Sequence, residues 1–296
     1  MSRRIGAMLA LAATALGAAC AGGASAQGGC PTIEEFSAYR PPEASRVYAA
    51  DGSRIADLSH ERRVVVELKE VPAGLSNGFV AVEDRRFWEH DGVDLKGVGR
   101  ALWRNLTSLS LDEGFSTITM QLARNVFAHE LPRSAKLRRK VCEIRLAGQI
   151  EAKYDKPEIL RLYLNQVYMG GGVYGVEAAA RAYFGRPASQ LTIAESALLI
   201  GLVKNPEGYN PRKHMTRAIA RRNVVLEVMA QEGVITGSDA ESAKDAPITL
   251  APPIEAAGPA PYFVAAVRQA LRERFGADAD ERGLRVHTGL DPELQH

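Results

Sequence analysis

The sequence carries almost no excess charge of either sign. Its 296 residues include 37 Lys and Arg against 35 Asp and Glu, and Arg3 and Arg4 at the N-terminus account for the difference. A domain that binds nucleic acid typically carries a basic excess, so we do not expect nucleic acid as a partner. The 46% hydrophobic and 24% charged fractions are those of a globular protein, and the length suits one or two domains.

Cysteine is also scarce, since the chain contains only Cys20, Cys30 and Cys142. Cys20 falls in the N-terminal leader, which leaves Cys30 and Cys142 as a candidate disulfide in an oxidising compartment. The alternative is a free Cys30 near the terminus and a reduced, buried Cys142 on a helix. We favour this alternative, because free cysteine is often buried as a small apolar residue.

Several familiar catalytic signatures begin but are not completed. Gly170, Gly172 and Gly175 have the dinucleotide-binding spacing, but they follow a predicted helix, whereas that fingerprint follows a strand. His60-Glu61 and His129-Glu130 lack the second histidine of a zinc protease. The sequence contains no Ser-x-x-Lys, Ser-x-Asn or Lys-Thr-Gly, which excludes the serine transpeptidation that uses those motifs.

The first thirty residues predict export. Two arginines precede the uncharged stretch Ile5 to Ala19, and small residues at 24–26 offer a cleavage site. Two other interpretations stay open. Cys20 follows two alanines as in a lipoprotein signal, and Ile5 to Gly29 is long enough to be an uncleaved membrane anchor. All three interpretations place the body of the protein outside the cytoplasm.

The patterns in the body predict a mainly α fold with a short β-hairpin region at its start. Residues 31–45 contain three prolines and are interpreted as a tether. Residues 46–58 predict a hairpin with its turn at Asp51-Gly52, and 64–68 predict a third strand.

Helical patterns dominate from Pro72 to about residue 247. Ser76 is the expected N-cap of the first helix and Asp155 that of a later one, with Pro157 in its first turn. The Pro- and Ala-rich residues 248–261 predict a linker. After it, a helix near 264–274 and a short strand at 284–288 predict a small α+β segment.

Glu83 and Asp84 lie in the densest candidate site, where an apolar run meets the charged and aromatic residues 83–92. A carboxylate that is partly withdrawn from water has a raised pKa, which suits proton transfer near neutral pH. The alternative for this segment alone is a solvated charge cluster at a helix end.

Two further segments favour binding of an anion. Ser116 and Thr117 beside glycine, followed by Arg124, suit a loop that offers hydroxyl and N–H donors. Arg139 and Lys140 share a helical face with Glu143 and suit a pyrophosphate. The alternatives are a capped helix start and an exposed ion-pair face. Taken together, two carboxylates and a basic cluster indicate sugar chemistry at an anomeric carbon with a phosphate-ester leaving group.

These segments resemble the peptidoglycan glycosyltransferases (glycosyltransferase family 51), including the N-terminal half of class A penicillin-binding proteins. The matches are Glu83-Asp84 with Phe87, His90 and Gly92; Ser116-Thr117-Ile118-Thr119 with Gln121; Arg139-Lys140 with Glu143; Lys156 with Ile159-Leu160 and Tyr163-Leu164-Asn165; and Gly175 with Glu177-Ala178-Ala179. The resemblance implies a lysozyme-like helical domain over residues 46–247. It also implies that residues 262–296 are the start of a junction to a transpeptidase domain that this sequence does not contain.

The resemblance also implies an activity. Glu83 would be the general base that lets lipid II polymerise into glycan strands with inversion and release of undecaprenyl pyrophosphate, and Glu143 would be the second catalytic carboxylate. The implied substrate-binding residues are Asp84, Phe87, His90, Ser116, Thr117, Gln121, Arg124, Arg139, Lys140 and Asn165. No residue is expected as a metal ligand and no cofactor is required, although Mg²⁺ or Mn²⁺ would be able to assist the pyrophosphate.

The expected partners are lipid II, the growing glycan strand, membrane lipid and proteins of the cell-wall synthesis complex. The expected location is the extracytoplasmic, periplasmic face of the bacterial cytoplasmic membrane. The apolar and basic residues 93–112 are interpreted as an interfacial segment, with a core helix as the alternative. Departures from the family pattern at Glu113, Phe115, Met120 and Arg124 put the details of donor binding in doubt. A lysozyme-like glycan-cleaving enzyme and a non-catalytic scaffold of the cell-wall machinery are the alternatives.

Overall fold

A computed structural model of the chain describes residues 30–33, 44–58, 62–97, 99, 116–128, 130–131, 135–253, 260–276 and 279–295. The leader, most of the tether, most of the expected interfacial segment at 93–112, and the departures at Glu113 and Phe115 lie outside these residues. Within them no helix is long and apolar enough to cross a bilayer.

The architecture is mainly helical, as the sequence predicts, with a small sheet at one end. The helices are α1 (Ala73–Glu83), α2 (Ile118–Val126), α3 (Lys136–Lys153), α4 (Lys156–Gln166), α5 (Val176–Phe184), α6 (Ile193–Leu202), α7 (Met215–Gln231), α8 (Gly237–Asp245), α9 (Pro261–Phe275) and α10 (Pro292–Gln295). The strands are β1 (Arg46–Tyr48), β2 (Arg54–Asp57), β3 (Arg62–Arg63), β4 (Val173–Tyr174) and β5 (Arg285–His287).

Local capping sets where several helices begin. The Asp155 side chain accepts a hydrogen bond from the Glu158 N–H, and Pro157 lies in the first turn of α4, which confirms the predicted cap. The prediction that Ser76 caps the first helix is wrong, because α1 begins at Ala73, directly after Pro72. Ser76 lies inside α1, where its hydroxyl donates to the Ala73 carbonyl at 3.3 Å. Proline is well tolerated at a helix start, where its missing N–H would have no helical partner.

The main hydrophobic core is built around α6, whose residues Ala194–Leu202 are all buried. α6 packs between α1 and α7. Gly78 of α1 permits this close approach, because a Cβ at that position would lie 2.6 Å from Ile200 Cδ1. This packing fixes the C-terminal end of α1, which carries Glu83.

A second, smaller core lies under the sheet. β1 and β2 form the predicted antiparallel hairpin, with Gly52 at φ 82° in its turn. β5 pairs parallel with β1, and α9 covers the sheet through Val264 and Leu271. The predicted helix and strand near the C-terminus are therefore confirmed, and the structure adds the pairing that joins them to the hairpin.

The predicted strand at 64–68 is wrong. The chain pairs at Arg62–Arg63, which lies parallel to Val173–Tyr174, and Leu68–Glu70 forms a 3-10 turn. The 3-10 turn forms because Glu67 caps it, and the Glu70 carboxylate accepts the Glu67 N–H at 2.8 Å.

The expected linker at 248–261 is bonded to the main body near its start. The Ala251 N–H donates to the Tyr183 carbonyl at 2.8 Å.

Cys30 and Cys142 form a disulfide, so our preference for free thiols is wrong. Cys142 is fully buried on α3, and Cys30 packs against the main core together with Ile33. The segment around Cys30 is therefore held against α3, the helix that also carries Glu143.

Candidate active site

Glu83 is the last residue of α1, and its carboxylate lies partly withdrawn from solvent beside α2. The Gln121 Nε2 donates a hydrogen bond to Glu83 Oε2 at 2.9 Å. Burial raises the pKa of Glu83, and the Gln121 hydrogen bond together with the nearby cations of Arg221, Arg124 and Lys204 opposes that rise. The result is a carboxylate more basic than an exposed glutamate, which suits a general base.

Asp84, the next residue, is satisfied within the fold. Both of its oxygens lie 3.0 Å from His90 Nε2, and one of them accepts the Ile118 N–H at the start of α2 at 3.0 Å. His90 Nδ1 accepts the Gly92 N–H at 3.2 Å, which leaves the ring proton on Nε2, where it is donated to Asp84. Asp84 and His90 thus tie the end of α1 to the start of α2, and their expected contact with substrate stays a prediction.

Thr117 caps α2 and joins it to the loop before it. Its Oγ1 accepts the Met120 N–H at 3.2 Å and donates to the Gly92 carbonyl at 2.7 Å. Gly92 has φ 91°, and a Cβ there would lie 2.9 Å from the Ala147 carbonyl carbon of α3. Any side chain at position 92 would therefore push the capped start of α2 away from α3.

Phe87 and Asn165 are interior residues with partners of their own. Phe87 is fully buried, and Lys156 Nζ lies 4.4 Å from the centre of its ring. The Asn165 amide bonds both the N–H and the carbonyl of Val66, each at 2.9 Å. The structure brings neither residue to a surface that a substrate would reach, and their expected substrate contact stays a prediction.

Glu143, Arg139, Lys140 and Ser116 form one cluster at the start of α3. Glu143 is 2% exposed and lies 3.3 Å from Lys140 Nζ and 3.6 Å from Arg139 Nε. Lys140 Nζ also donates to Ser116 Oγ at 2.7 Å. Burial lowers the pKa of Lys140, and Glu143 opposes that shift. The cluster is a built cationic site with a hydroxyl beside it, suited to phosphate oxygens.

Arg124 of α2 follows Gln121, the residue bonded to Glu83, by three positions. Its charge acts on the pKa of both Glu83 and Lys140, so the candidate base and the cationic cluster both lie within its electrostatic range. Met120 on the same helix is fully buried. Because the Met120 side chain has no exposed surface, the departure from the family pattern at this position changes the packing of α2 in the core.

Sequence reasoning missed three residues near Glu83. Arg221 and Lys204 act on its pKa from α7 and from the turn after α6, and the buried Arg221 Nε has no hydrogen-bond partner within the described chain. The Tyr163 hydroxyl donates to Gln121 Oε1 at 3.2 Å. Tyr163 belongs to one of the matched motifs, but no local signal indicates that its hydroxyl lies behind Gln121.

The residues of the cluster are a poor fit for a divalent cation. Across the part of the chain that the structure describes, no group of three His, Cys, Asp or Glu is arranged to hold a metal. Glu143 already faces two cations, which would repel Mg²⁺ or Mn²⁺. Metal assistance stays a prediction, and no step proposed for the reaction passes through a metal.

A mainly helical fold that holds a partly buried carboxylate near a cationic cluster is compatible with glycosyl transfer. The family model "Transglycosylase" matches residues 51–230. The chain therefore belongs to the transglycosylase family, and it carries the domain of a peptidoglycan glycosyltransferase of cell-wall biosynthesis.

Relatives with this domain include penicillin-binding proteins 1A. The chain is 40% identical over 265 residues to that of Aquifex aeolicus, covering 90% of this chain and 36% of the relative. It is 44% identical over 253 residues to that of Escherichia coli, covering 84% and 29%. A crystal structure of penicillin-binding protein 1A from Haemophilus influenzae matches with TM-score 0.54 and 27% identity, covering 86% of this chain and 28% of that one. The chain thus spans about a third of the length of these relatives.

Proposed function

We propose that this chain polymerises lipid II into glycan strands, with Glu83 as the general base. The observation that carries the proposal is that Arg124 of α2 acts electrostatically on both the partly buried Glu83 and Lys140 of the cationic cluster. A base with an anion site near it is what transfer from a sugar diphosphate requires.

In the proposed reaction Glu83 takes the proton from the 4-hydroxyl of the acceptor GlcNAc. That oxygen attacks C1 of the donor MurNAc from the face opposite the leaving group. The new C1–O4 bond forms as the C1–O bond to phosphate breaks, with inversion at C1. Undecaprenyl pyrophosphate leaves with the bonding electron pair, and the proton remains on Glu83 until solvent removes it.

The cationic cluster would stabilise the leaving pyrophosphate. Lys140 Nζ and Ser116 Oγ lie 2.7 Å apart, close enough to bind one phosphate group together. Glu143 is ion-paired with Lys140 and Arg139, and its negative charge opposes the fall in the pKa of Lys140. In this proposal Glu143 acts through these two cations on the leaving group.

The proposed setting is the extracytoplasmic face of the cytoplasmic membrane, with membrane lipid and other cell-wall synthesis proteins as partners. The proposal is supported by the prediction that residues 1–30 are a signal peptide, a lipoprotein signal or a membrane anchor, and by the lipid-linked substrate of the proposed reaction. A disulfide between Cys30 and Cys142 fits this setting as well, because such bonds persist in oxidising compartments.

The test is to incubate the purified chain with fluorescent lipid II and, separately, with preformed glycan, and to separate the products on a gel. Long glycan from lipid II is expected from the wild type and from Glu89→Gln, which replaces an exposed carboxylate six residues beyond the base. Shortening of preformed glycan without polymerisation would show a glycan-cleaving enzyme. Lack of product from either substrate would favour a scaffold.

A further inference from the structure

Behind the candidate base lies a chain of two hydrogen bonds. The Tyr163 hydroxyl of α4 donates to Gln121 Oε1 at 3.2 Å, and Gln121 Nε2 of α2 donates to Glu83 Oε2 at 2.9 Å. Three separate helices thus contribute one residue each. The Gln121 side chain uses both ends of its amide in this chain of bonds.

The position of Tyr163 is fixed by the core. It is fully buried, and its ring meets Phe79 of α1 edge to face at 6.0 Å between centres. Burial and the charge of Glu83 raise the pKa of Tyr163 well above its ordinary value. The hydroxyl therefore keeps its proton over the whole working range, and it is available as a donor at all those pH values.

A glutamine amide has two orientations that differ in chemistry but hardly in shape. In one orientation the NH₂ group meets Glu83, and in the other the carbonyl oxygen would face the ionised carboxylate and repel it. The Tyr163 hydroxyl could also accept from the NH₂ group, but its own proton would then have no acceptor among the described residues, so it favours Oε1 on its own side. That choice leaves Nε2 for Glu83.

We propose that Tyr163 is a positioning residue for the reaction, which holds the Gln121 amide in the orientation that donates to Glu83. Tyr163 thereby sets the pH at which Glu83 becomes a competent base. The inference rests on the proposed function, because it takes Glu83 to be that base. It assigns Tyr163 no contact with the sugar or the phosphate.

The direction of the effect follows from the surroundings of Glu83. The Gln121 hydrogen bond lowers the pKa of Glu83 against the rise caused by burial. Without Tyr163 the amide is no longer held in the donating orientation, so the pKa of Glu83 rises. The base must be ionised to act, and the acid limb of the rate profile therefore moves to higher pH.

The experiment compares the pH dependence of kcat for lipid II polymerisation in the wild type, Tyr163→Phe and Tyr183→Phe. Tyr183 is the matched control, because it is also buried and its hydroxyl donates to the Met169 carbonyl at 2.9 Å, away from Glu83. Tyr163→Phe is expected to move the acid limb upward by about 0.5–1 pH unit, the size expected for loss of one hydrogen bond between neutral groups, here Tyr163 and Gln121. Tyr183→Phe is expected to leave the limb in place.

A second comparison guards against a variant that folds poorly. Gln121→Leu removes the donor directly and is expected to move the limb in the same direction by at least as much. In that background Tyr163→Phe should cause no further movement. An unmoved limb in Tyr163→Phe, or equal movement in Tyr183→Phe, would overturn the inference. Full activity of Glu83→Gln would instead overturn the proposed function itself, so the two failures are distinguishable.

Discussion

Glu83 and Glu143 are both withdrawn from solvent, but their surroundings differ in kind. Glu83 accepts from a neutral amide at 2.9 Å, and the cations that act on it do so without a direct ion pair. Glu143 is ion-paired with Lys140 and Arg139 on its own helix. A carboxylate with a neutral partner keeps its capacity to accept a proton, whereas one held by two cations serves to fix them. The difference agrees with the separate roles proposed for the two acidic residues.

The largest expected effect is a loss of polymerisation when Glu83 is replaced. Glu83→Gln keeps the shape and removes the base, and we expect polymerisation to fall by about 10³-fold or more, within the range for loss of a general base. The free energy of unfolding should hold or rise, since a buried amide costs less than a buried charge. Initial rates on lipid II and thermal unfolding measure the two effects. A large loss of stability would mean that Glu83 is a structural residue like its neighbour.

The next largest expected effect is on stability. It comes from the disulfide that bonds the N-terminal segment to α3, the helix that carries Glu143. Reducing the disulfide, or replacing both Cys30 and Cys142 with Ser, is expected to lower the free energy of unfolding by about 2–4 kcal/mol. Thermal unfolding with and without reductant measures the change, and the double variant should not respond to reductant. Equal stability of the reduced and oxidised wild type would contradict this prediction.

A smaller effect separates Glu83 from its neighbour in the chain. Asp84→Asn removes the charge that holds His90 Nε2 and the Ile118 N–H, and it should lower the free energy of unfolding by about 1–3 kcal/mol. Chemical denaturation of Asp84→Asn and Glu83→Gln side by side checks the contrast. A higher free energy of unfolding for Asp84→Asn than for Glu83→Gln would show that the expected contrast is wrong.

The smallest expected effect is a shift in the pH dependence of the polymerisation rate when Glu143 is replaced. Burial already lowers the pKa of Lys140, and Glu143 opposes that shift. In Glu143→Gln the pKa of Lys140 falls further, so Lys140 loses its charge at a lower pH. The alkaline limb of the rate profile should move down by about one pH unit, with the acid limb set by Glu83 in place. Movement of the acid limb alone would show that the two sides are not separate.

The sequence predicted those parts of the site that depend on near neighbours. Asp155 as an N-cap and the shared face of Arg139, Lys140 and Glu143 follow from spacings of three or four residues, which a helix converts directly into contacts. Thr117 caps α2, which agrees with the alternative interpretation of its segment as a capped helix start. Ser76 shows the limit of such reasoning, because a good capping residue was outweighed by Pro72 four positions earlier.

Contacts between distant positions could not be predicted in the same way. The Cys30–Cys142 bond closes a separation of 112 residues, and the pairing of β5 with β1 joins the two ends of the described chain. The hydrogen bond from the Tyr163 hydroxyl to Gln121 joins two helices, α4 and α2. Each depends on how whole elements pack, and a local pattern carries no information about that packing.

By itself the sequence determined the class of the protein, its helical character and the two candidate carboxylates, since motifs and helix periodicity are local properties. The tertiary structure alone decided the surroundings of each carboxylate. It placed a neutral amide and a buried tyrosine behind Glu83 and two cations beside Glu143. The pKa of a side chain depends on the charge and water within a few ångströms, and only folding brings those neighbours together.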